Sequence, residues 1–224
     1  MYRLYYSPGA CSLAPHIVLE EIGVPYAIEL RSSLRGEGTQ TAEYLAINPK
    51  GRVPALAGVP GSSGGAATLL TEASAILFFL ARSHPEAGLL PSDPAGEARC
   101  VEWMTWLSGT VHGMSFAQIW RPARFSDDTG QHAAITAKGH DNIRDQYAYI
   151  ERVLADGRDW GIPGGYSIVD PYLLVFWIWG GRIGLDMQAA YPAWARLIGK
   201  TIARPAVRRT LEQEGLTVAS VSVG

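Results

Sequence analysis

Cys11 follows a short aromatic strand, Arg3 to Tyr6, and the stop signal Ser7-Pro8-Gly9, and it opens a segment with helical spacing. At a helix start the unpaired backbone N–H groups and the helix dipole favour negative charge. A thiol there is expected to be more acidic than a free cysteine, and either reactive or ready to donate a hydrogen bond to another thiolate. The plainer alternative is a buried structural cysteine. Cys11-Ser12-Leu13-Ala14 has no cysteine at its fourth position, so dithiol redox chemistry is not expected. A second stretch, Asn48 to Leu56, begins a strand with a proline that cannot donate to a ladder. If the Val53–Pro54 bond is cis, the Val53 N–H and C=O turn outward to pair with an extended peptide; otherwise the segment is an edge strand that starts with Pro54. In the third stretch, Thr71-Glu72-Ala73, Glu72 either complements a helix dipole or takes a ligand ammonium, while helix N–H groups near Ala73 take a neighbouring carboxylate.

These stretches need a scaffold, and the spacing supplies one. Leu13, Ile17, Val18 and Ile22 recur at helical intervals from Cys11, and Gly23 closes the helix. Tyr26 to Leu30 reads as a strand parallel to the first, which makes a βαβ unit. A polar stretch, Arg31 to Thr41, leads to a short helix near Tyr44–Ile47. The turn Asn48-Pro49-Lys50-Gly51 follows, and then a hairpin of Arg52–Leu56 with Thr68–Leu70. The Gly/Ser-rich run Gly58 to Gly65 between them predicts a mobile loop. Thr71 is the expected N-cap of a helix Glu72–Ala81. A Pro-punctuated linker, residues 83–94, then separates an α/β domain (1–82) from an all-α domain (95–224). In the second domain Cys100, Met104, Leu107, Val111 and Met114 mark one buried helix face. Further helices are expected at Ile135–Leu154, Ile168–Arg182, Pro192–Ile202 and Pro205–Glu214. Ser167-Ile168-Val169-Asp170 fits a capping box in which Asp170 reaches back to the Ser167 N–H.

The chain has 224 residues, 47% of them hydrophobic, and a formal charge of −2. That composition excludes wholesale disorder and gives no basic run for a nucleic-acid or membrane-surface partner. Two cysteines without ligand spacing predict no metal site. The apolar segment around Tyr172–Trp179 is far shorter than the ~20 residues of a membrane span and reads as a buried core helix. The opening residues lack the apolar stretch of a secretory signal, so the expected location is cytoplasmic, with both thiols free.

Taken in order, Tyr5-Tyr6-Ser7-Pro8-Gly9-Ala10-Cys11-Ser12, Asn48–Leu56, Leu70-Thr71-Glu72 with Ala75-Ile76, Glu102-Trp103 with His112, Arg121-Pro122 and Ser167–Asp170 resemble the glutathione transferases, specifically the bacterial beta class. The resemblance spans Tyr2 to Leu216. It implies a thioredoxin-like N-terminal domain, a helical bundle, a homodimer and a role in detoxification, with glutathione as co-substrate and small hydrophobic electrophiles as partners. It also implies roles for single residues. Cys11 faces the glutathione sulfur and His112 approaches from the second domain, while Tyr6 is the strand tyrosine, secondary in this class or simply core packing. Val53 and Pro54 pair with the cysteinyl backbone, Glu72 takes the ammonium and the Ala73 end of the helix takes the adjacent carboxylate. Arg35 takes the glycyl carboxylate, with Arg31, Lys50 and Arg52 as competitors. Thr105, Ser108 and His112 share a helix face and can line the site together. Met114, Phe116, Trp120 and Phe125 are the expected wall for the electrophile.

The chain departs from the family pattern at Ala73, where many members carry serine, in the long Gly58–Gly65 run, and across Arg31–Gln40. Beside conjugation, two other activities fit the residues. One is glutathione-dependent thiol–disulfide reduction or peroxide chemistry through Cys11; the other is ligand binding without catalysis.

Overall fold

The computed structural model describes residues 1–61, 64–218 and 221; the side chain of Arg35 also lies outside the described part. Strand β1 (Tyr2–Tyr6) runs parallel to β2 (Tyr26–Leu30), with Tyr2 opposite Tyr26, and helix α1 (Leu13–Ile22) makes the crossover. Gly23, at φ 74, ends α1 in the left-handed region that the sequence reserved for it. Strand β3 (Ala55–Val59) pairs antiparallel with β1, and β4 (Thr68–Thr71) antiparallel with β3, giving the order β2-β1-β3-β4. Helices α1 and α3 (Ala73–Ser83) bury Ile17, Val18, Ile76 and Leu80 in the main core. Helix α2 (Ala42–Ile47) belongs to a second cluster, in which Tyr44 meets Tyr5, Val53 and Ala55.

Several boundaries differ from expectation. The second hairpin begins at Ala55 rather than Arg52, because Asn48–Arg52 folds on itself. Asn48 Nδ2 and the Tyr44 hydroxyl both donate to the Arg52 carbonyl, each at 2.8 Å. The strand then continues through Gly58, which the sequence placed in a loop. Gly58 sits at φ +81, and a Cβ there would stand 2.5 Å from the Met1 carbonyl, so only glycine lets β3 pass the chain start. The loop is correspondingly shorter, and Ser62 and Ser63 lie outside the described residues. Thr71, expected as a helix cap, is instead the last residue of β4, and α3 starts at Ala73.

In the second domain α4 (Pro94–Trp106) is capped by Asp93, whose side chain accepts from the Gly96 N–H at 2.8 Å. It runs on into a π-helical segment, Leu107–Phe116, and then α5 (Ala117–Trp120). The wider π turn explains one miss. Cys100, Met104, Leu107 and Val111 are buried as expected, but Met114 is 42% exposed, and Ser115 and Phe116 take its inward place. Helix α7 (Val169–Arg182) packs on α1, α4, the short α8 (Met187–Ala190) and α9 (Pro192–Ala203). Tyr147 of α6 (His132–Leu154) donates to its Phe176 carbonyl, and α10 (Pro205–Gln213) packs on α1 and α9. Every residue of α7 from Val169 to Gly180 is buried, as the apolar run predicts, with each Leu or Phe contributing roughly 1.5–3 kcal/mol by leaving water.

The capping box forms. Asp170 accepts from the Ser167 N–H at 2.8 Å and hydroxyl at 3.3 Å, while Ser167 Oγ accepts from Val169 N–H at 3.3 Å. Asp170 also holds the preceding loop through the Gly161 N–H at 2.7 Å. Among the described residues no helix is long and apolar enough to cross a membrane.

Candidate active site at the junction of the two domains

Cys11 lies in the turn between β1 and α1, two residues before the helix begins. That turn is tied to the second domain through Gly9, whose carbonyl accepts from Trp179 Nε1 and from an Arg182 guanidinium nitrogen, each at 2.9 Å. The Gly9 N–H donates to Glu214 Oε2 at 2.8 Å, and the other oxygen of Glu214 meets His16 Nδ1 at 2.9 Å. Gly9 sits at φ +61, in the left-handed region that favours glycine, and a Cβ there would stand 2.1 Å from the end of the Arg182 side chain, which would have to shift.

The Cys11 thiol donates to the Val53 carbonyl at 3.4 Å. Its side chain is buried, and that burial pushes the pKa up to about 12 against weaker help from the local backbone and Arg121. The acidic thiol expected of a helix start is therefore not found in the ligand-free chain. Cys11 precedes the helix, and loss of water outweighs the helix field. Val53–Pro54 is a cis bond, the conformation on which the outward-facing Val53 backbone depends.

Glu72 is the one non-glycine residue with positive φ among the described residues, at 76°, at the kink between β4 and α3. Its carboxylate is exposed and pairs with Lys50 Nζ at 2.7 Å; Lys50 also donates to Thr71 Oγ1 at 2.9 Å. Ala73 follows, buried at the first turn of α3. Ser74, one position on, bonds Ser108 Oγ at 2.7 Å and the Met104 carbonyl at 3.0 Å, and Ser108 meets the Tyr172 hydroxyl at 3.1 Å.

On the second domain, His112 leaves the π segment half-buried, its ring against Trp179 at 4.8 Å between centroids. Burial, then the charges of Arg121, Arg52 and Arg124, lower its pKa to about 4, so the imidazole is neutral near pH 7. Trp179 thus touches both the turn that carries Cys11 and the ring of His112.

The other expected residues fall in different places. Tyr6 is buried against His16, at 5.7 Å between ring centroids, with its pKa raised first by burial and then by Glu214. No hydrogen bond joins its hydroxyl to Cys11 among the described residues. Thr105 is exposed and Ser108 is held by Ser74 and Tyr172, so the shared face of Thr105, Ser108 and His112 is interrupted where the helix widens at Leu107. Phe116 is not a wall residue; it is fully buried under Trp120 and Trp179, leaving Met114, Trp120 and Phe125 exposed. Arg35 lies in a 3₁₀ turn, Leu34–Gly36, with its side chain outside the described residues. Arg31 pairs with Glu29 and Glu43, and Lys50 with Glu72, whereas Arg52 has no ion pair among the described residues. Arg124 and the interdomain groups Trp179, Arg182, His16 and Glu214 carried no motif of their own; the unbroken apolar run of α7 was the one signal pointing at Trp179. No group of three or more His, Cys, Asp or Glu suited to a metal occurs among the described residues.

Residues 9–83 match the family described as glutathione S-transferase, N-terminal domain. Over 215 residues the chain is 31% identical to glutathione S-transferase GstA of Escherichia coli O157:H7, spanning 96% of this chain and 99% of that one. A solved glutathione transferase homologue from Sulfitobacter, with bound glutathione, matches with a TM-score of 0.85 at 32% identity, covering 97% of this chain and 99% of that one. A bacterial beta class glutathione S-transferase from Sphingomonas chungbukensis matches with a TM-score of 0.77 at 30% identity, covering 96% of this chain and all 100% of that one.

Proposed function

The chain belongs to the glutathione S-transferase family, and we propose that it binds glutathione at the domain junction and transfers its sulfur to small electrophiles. The observation that carries this reading is the bridge made by Trp179. Its indole N–H holds Gly9, two residues from Cys11, while its ring meets His112 in a T-shaped contact, so one side chain links the turn of Cys11 to His112.

The extended tripeptide lies along the backbone at Val53, antiparallel to it. Its ammonium takes the Glu72 carboxylate, displacing Lys50, and the adjacent carboxylate takes the N-terminal N–H groups of α3 near Ala73. Arg52, charged and unpaired, is the described residue best suited to the glycyl carboxylate; Arg35 was the choice by resemblance. Thr105 lies on the second-domain helix beyond Ser108 and stays a candidate for the rim.

Cys11 acts as a hydrogen-bond donor. With its pKa at about 12 it keeps its proton, and swinging the S–H from the Val53 carbonyl to the bound sulfur stabilises the glutathione thiolate. His112, neutral, adds a second polar contact, and the positive field of Arg52, Arg121 and Arg124 favours the thiolate further. The same burial speaks against the exchange chemistry that the sequence left open, because a mixed disulfide on Cys11 needs an accessible thiolate. We take residues 1–82 as the glutathione domain, 83–94 as linker and 95–224 as the helical domain. A homodimer acting in cytoplasmic detoxification is the setting we propose.

Calorimetric titration with glutathione and turnover of 1-chloro-2,4-dinitrobenzene test the reading. Binding in the millimolar range or tighter is expected, with Cys11→Ala lowering kcat/KM about tenfold, the scale of one lost charge-assisted hydrogen bond. No binding at 10 mM would overturn it.

A further inference from the structure

Three guanidiniums at the junction have no acid to answer them. Arg52 stands just before Val53 on the first domain, while Arg121 ends α5 and Arg124 closes the 3₁₀ turn Pro122–Arg124 on the second. All three are exposed, and none makes an ion pair or a side-chain hydrogen bond among the described residues. Two of the nearby acids are already committed. Glu72 holds Lys50, and Asp128 accepts from the Gly130 N–H at 2.9 Å and from Gln131 at 3.2 Å. Other arginines at the same seam are satisfied: Arg204 by Glu21, Arg209 by Glu20 and Arg182 by the Gly9 carbonyl.

The position of the trio is fixed by packing as well as by charge. Trp120, immediately before Arg121, meets in an edge-to-face contact the same Trp179 that meets His112, with ring centroids 4.9 Å and 4.8 Å apart respectively. Arg121 is thereby anchored beside His112. Phe125 follows Arg124, and Trp120 and Phe125 remain 42% and 44% exposed, so two aromatic faces flank the two charges. The mutual field is felt: Arg124 is lowered by burial and by Arg121 and Arg52. Clustered like charges are unfavourable in the empty protein, and an anion placed among them relieves that repulsion and forms charge-assisted bonds.

On the transferase reading glutathione accounts for one of the three, since its remaining charged group, the glycyl carboxylate, is assigned to Arg52. We propose that Arg121 and Arg124 form a subsite for the second substrate, selecting aromatic electrophiles that bear a carboxylate or sulfonate. The inference rests on the transferase reading above and sharpens it from any small electrophile to an anionic aromatic one. In the reaction itself the bound thiol has released its proton to solvent. The sulfur lone pair forms the new S–C bond, and the leaving halide departs with the electrons of the carbon–halogen bond, so no oxidant or reductant is required.

The test uses 4-chloro-3,5-dinitrobenzoate and its methyl ester, each kcat/KM divided by the uncatalysed rate with glutathione so that ring activation cancels. The full chain is expected to favour the carboxylate at least tenfold, with the preference falling as sodium chloride is raised. In Arg121→Met/Arg124→Met the ratio should collapse toward one, and Arg121→Lys/Arg124→Lys should recover part of it; a melting curve on each variant reports its folding. A ratio near one in the wild type, or a ratio unchanged in the methionine variant, overturns the proposal. So does a tenfold loss of glutathione affinity in that variant with the ratio intact, which would give the arginines to glutathione's own carboxylate. Absence of glutathione binding to the wild type, by titration without any electrophile, would sink the transferase reading itself and this subsite with it.

Discussion

A thiol ionises readily when water or a close cation attends it, and Cys11 has been moved away from water. Its pKa of about 12 means that between pH 7 and 9 almost none is thiolate. Alkylation by iodoacetamide, followed by intact mass, should therefore run at about a hundredth of the free-cysteine rate or slower at pH 8 and quicken only when the chain is unfolded. Rapid labelling of the native protein would show an open thiol and revive exchange with glutathione. Lys50 offers a second residue-level check. An exposed pair such as Lys50–Glu72 is worth about 0–1 kcal/mol, so Lys50→Met, which frees Glu72 for the ammonium, should tighten glutathione binding by up to about fivefold in calorimetry. Weaker binding would mean that Lys50 itself contacts the ligand. Residue types at these positions were legible in the sequence: cysteine after a strand, Val-Pro, an acid at a helix start. Their states were not. Whether Cys11 is acidic or His112 charged depends on burial and on charges brought up by the fold, such as Arg121 beside Cys11 and Arg52 beside His112.

Elements whose signals are local were read closely. The crossover helix ends at Gly23, and the Ser167–Asp170 box forms because donor and acceptor lie within three residues. The π segment was invisible, since a heptad-like spacing fits an α-helix equally well until Phe116 must pack under Trp179. So was the kink at Glu72, where the change from strand to helix is set by what β4 and α3 pack against. Asp170 carries consequences for its helix. Asp170→Ala should lower the stability by about 2–4 kcal/mol, because three buried donors lose their acceptor at once. An unchanged urea midpoint with an unchanged slope would contradict this. Burial raises Asp170 from its usual 3.8 to about 6, so the folded state binds this proton more tightly than the unfolded one. Its contribution is full below pH 4 and is lost as pH rises toward 6. His112 works in the opposite sense: its pKa, lowered from 6.5 to about 4, gives stability above pH 6.5 that is lost as pH falls toward 4. Urea melts from pH 4 to 6.5 should thus climb more steeply with pH in Asp170→Asn and more shallowly in His112→Gln than in the wild type. Parallel curves would refute both assignments.

At the scale of the molecule, a thioredoxin-like sheet and a helical domain were legible from order alone, whereas the seam between them was not, being built from single side chains spread from Gly9 to Glu214. The proposed dimer is checked by sedimentation: at micromolar concentration the mass should be twice the 24.2 kDa of one chain, and a lone monomer would rule it out. The seam also gives the chain a built-in gauge of its own closure. The Gly9 amide is buried, and its proton is held by a carboxylate from the far end of the sequence. It can swap with deuterium only when Glu214 lets go. In a nitrogen-15 spectrum recorded after transfer to heavy water, that one glycine peak should outlast those of glycines open to solvent, and its lifetime should lengthen when glutathione clamps the two halves. A Gly9 peak that vanished as fast as the others would mean that the seam breathes freely, and that Cys11 and His112 meet only part of the time.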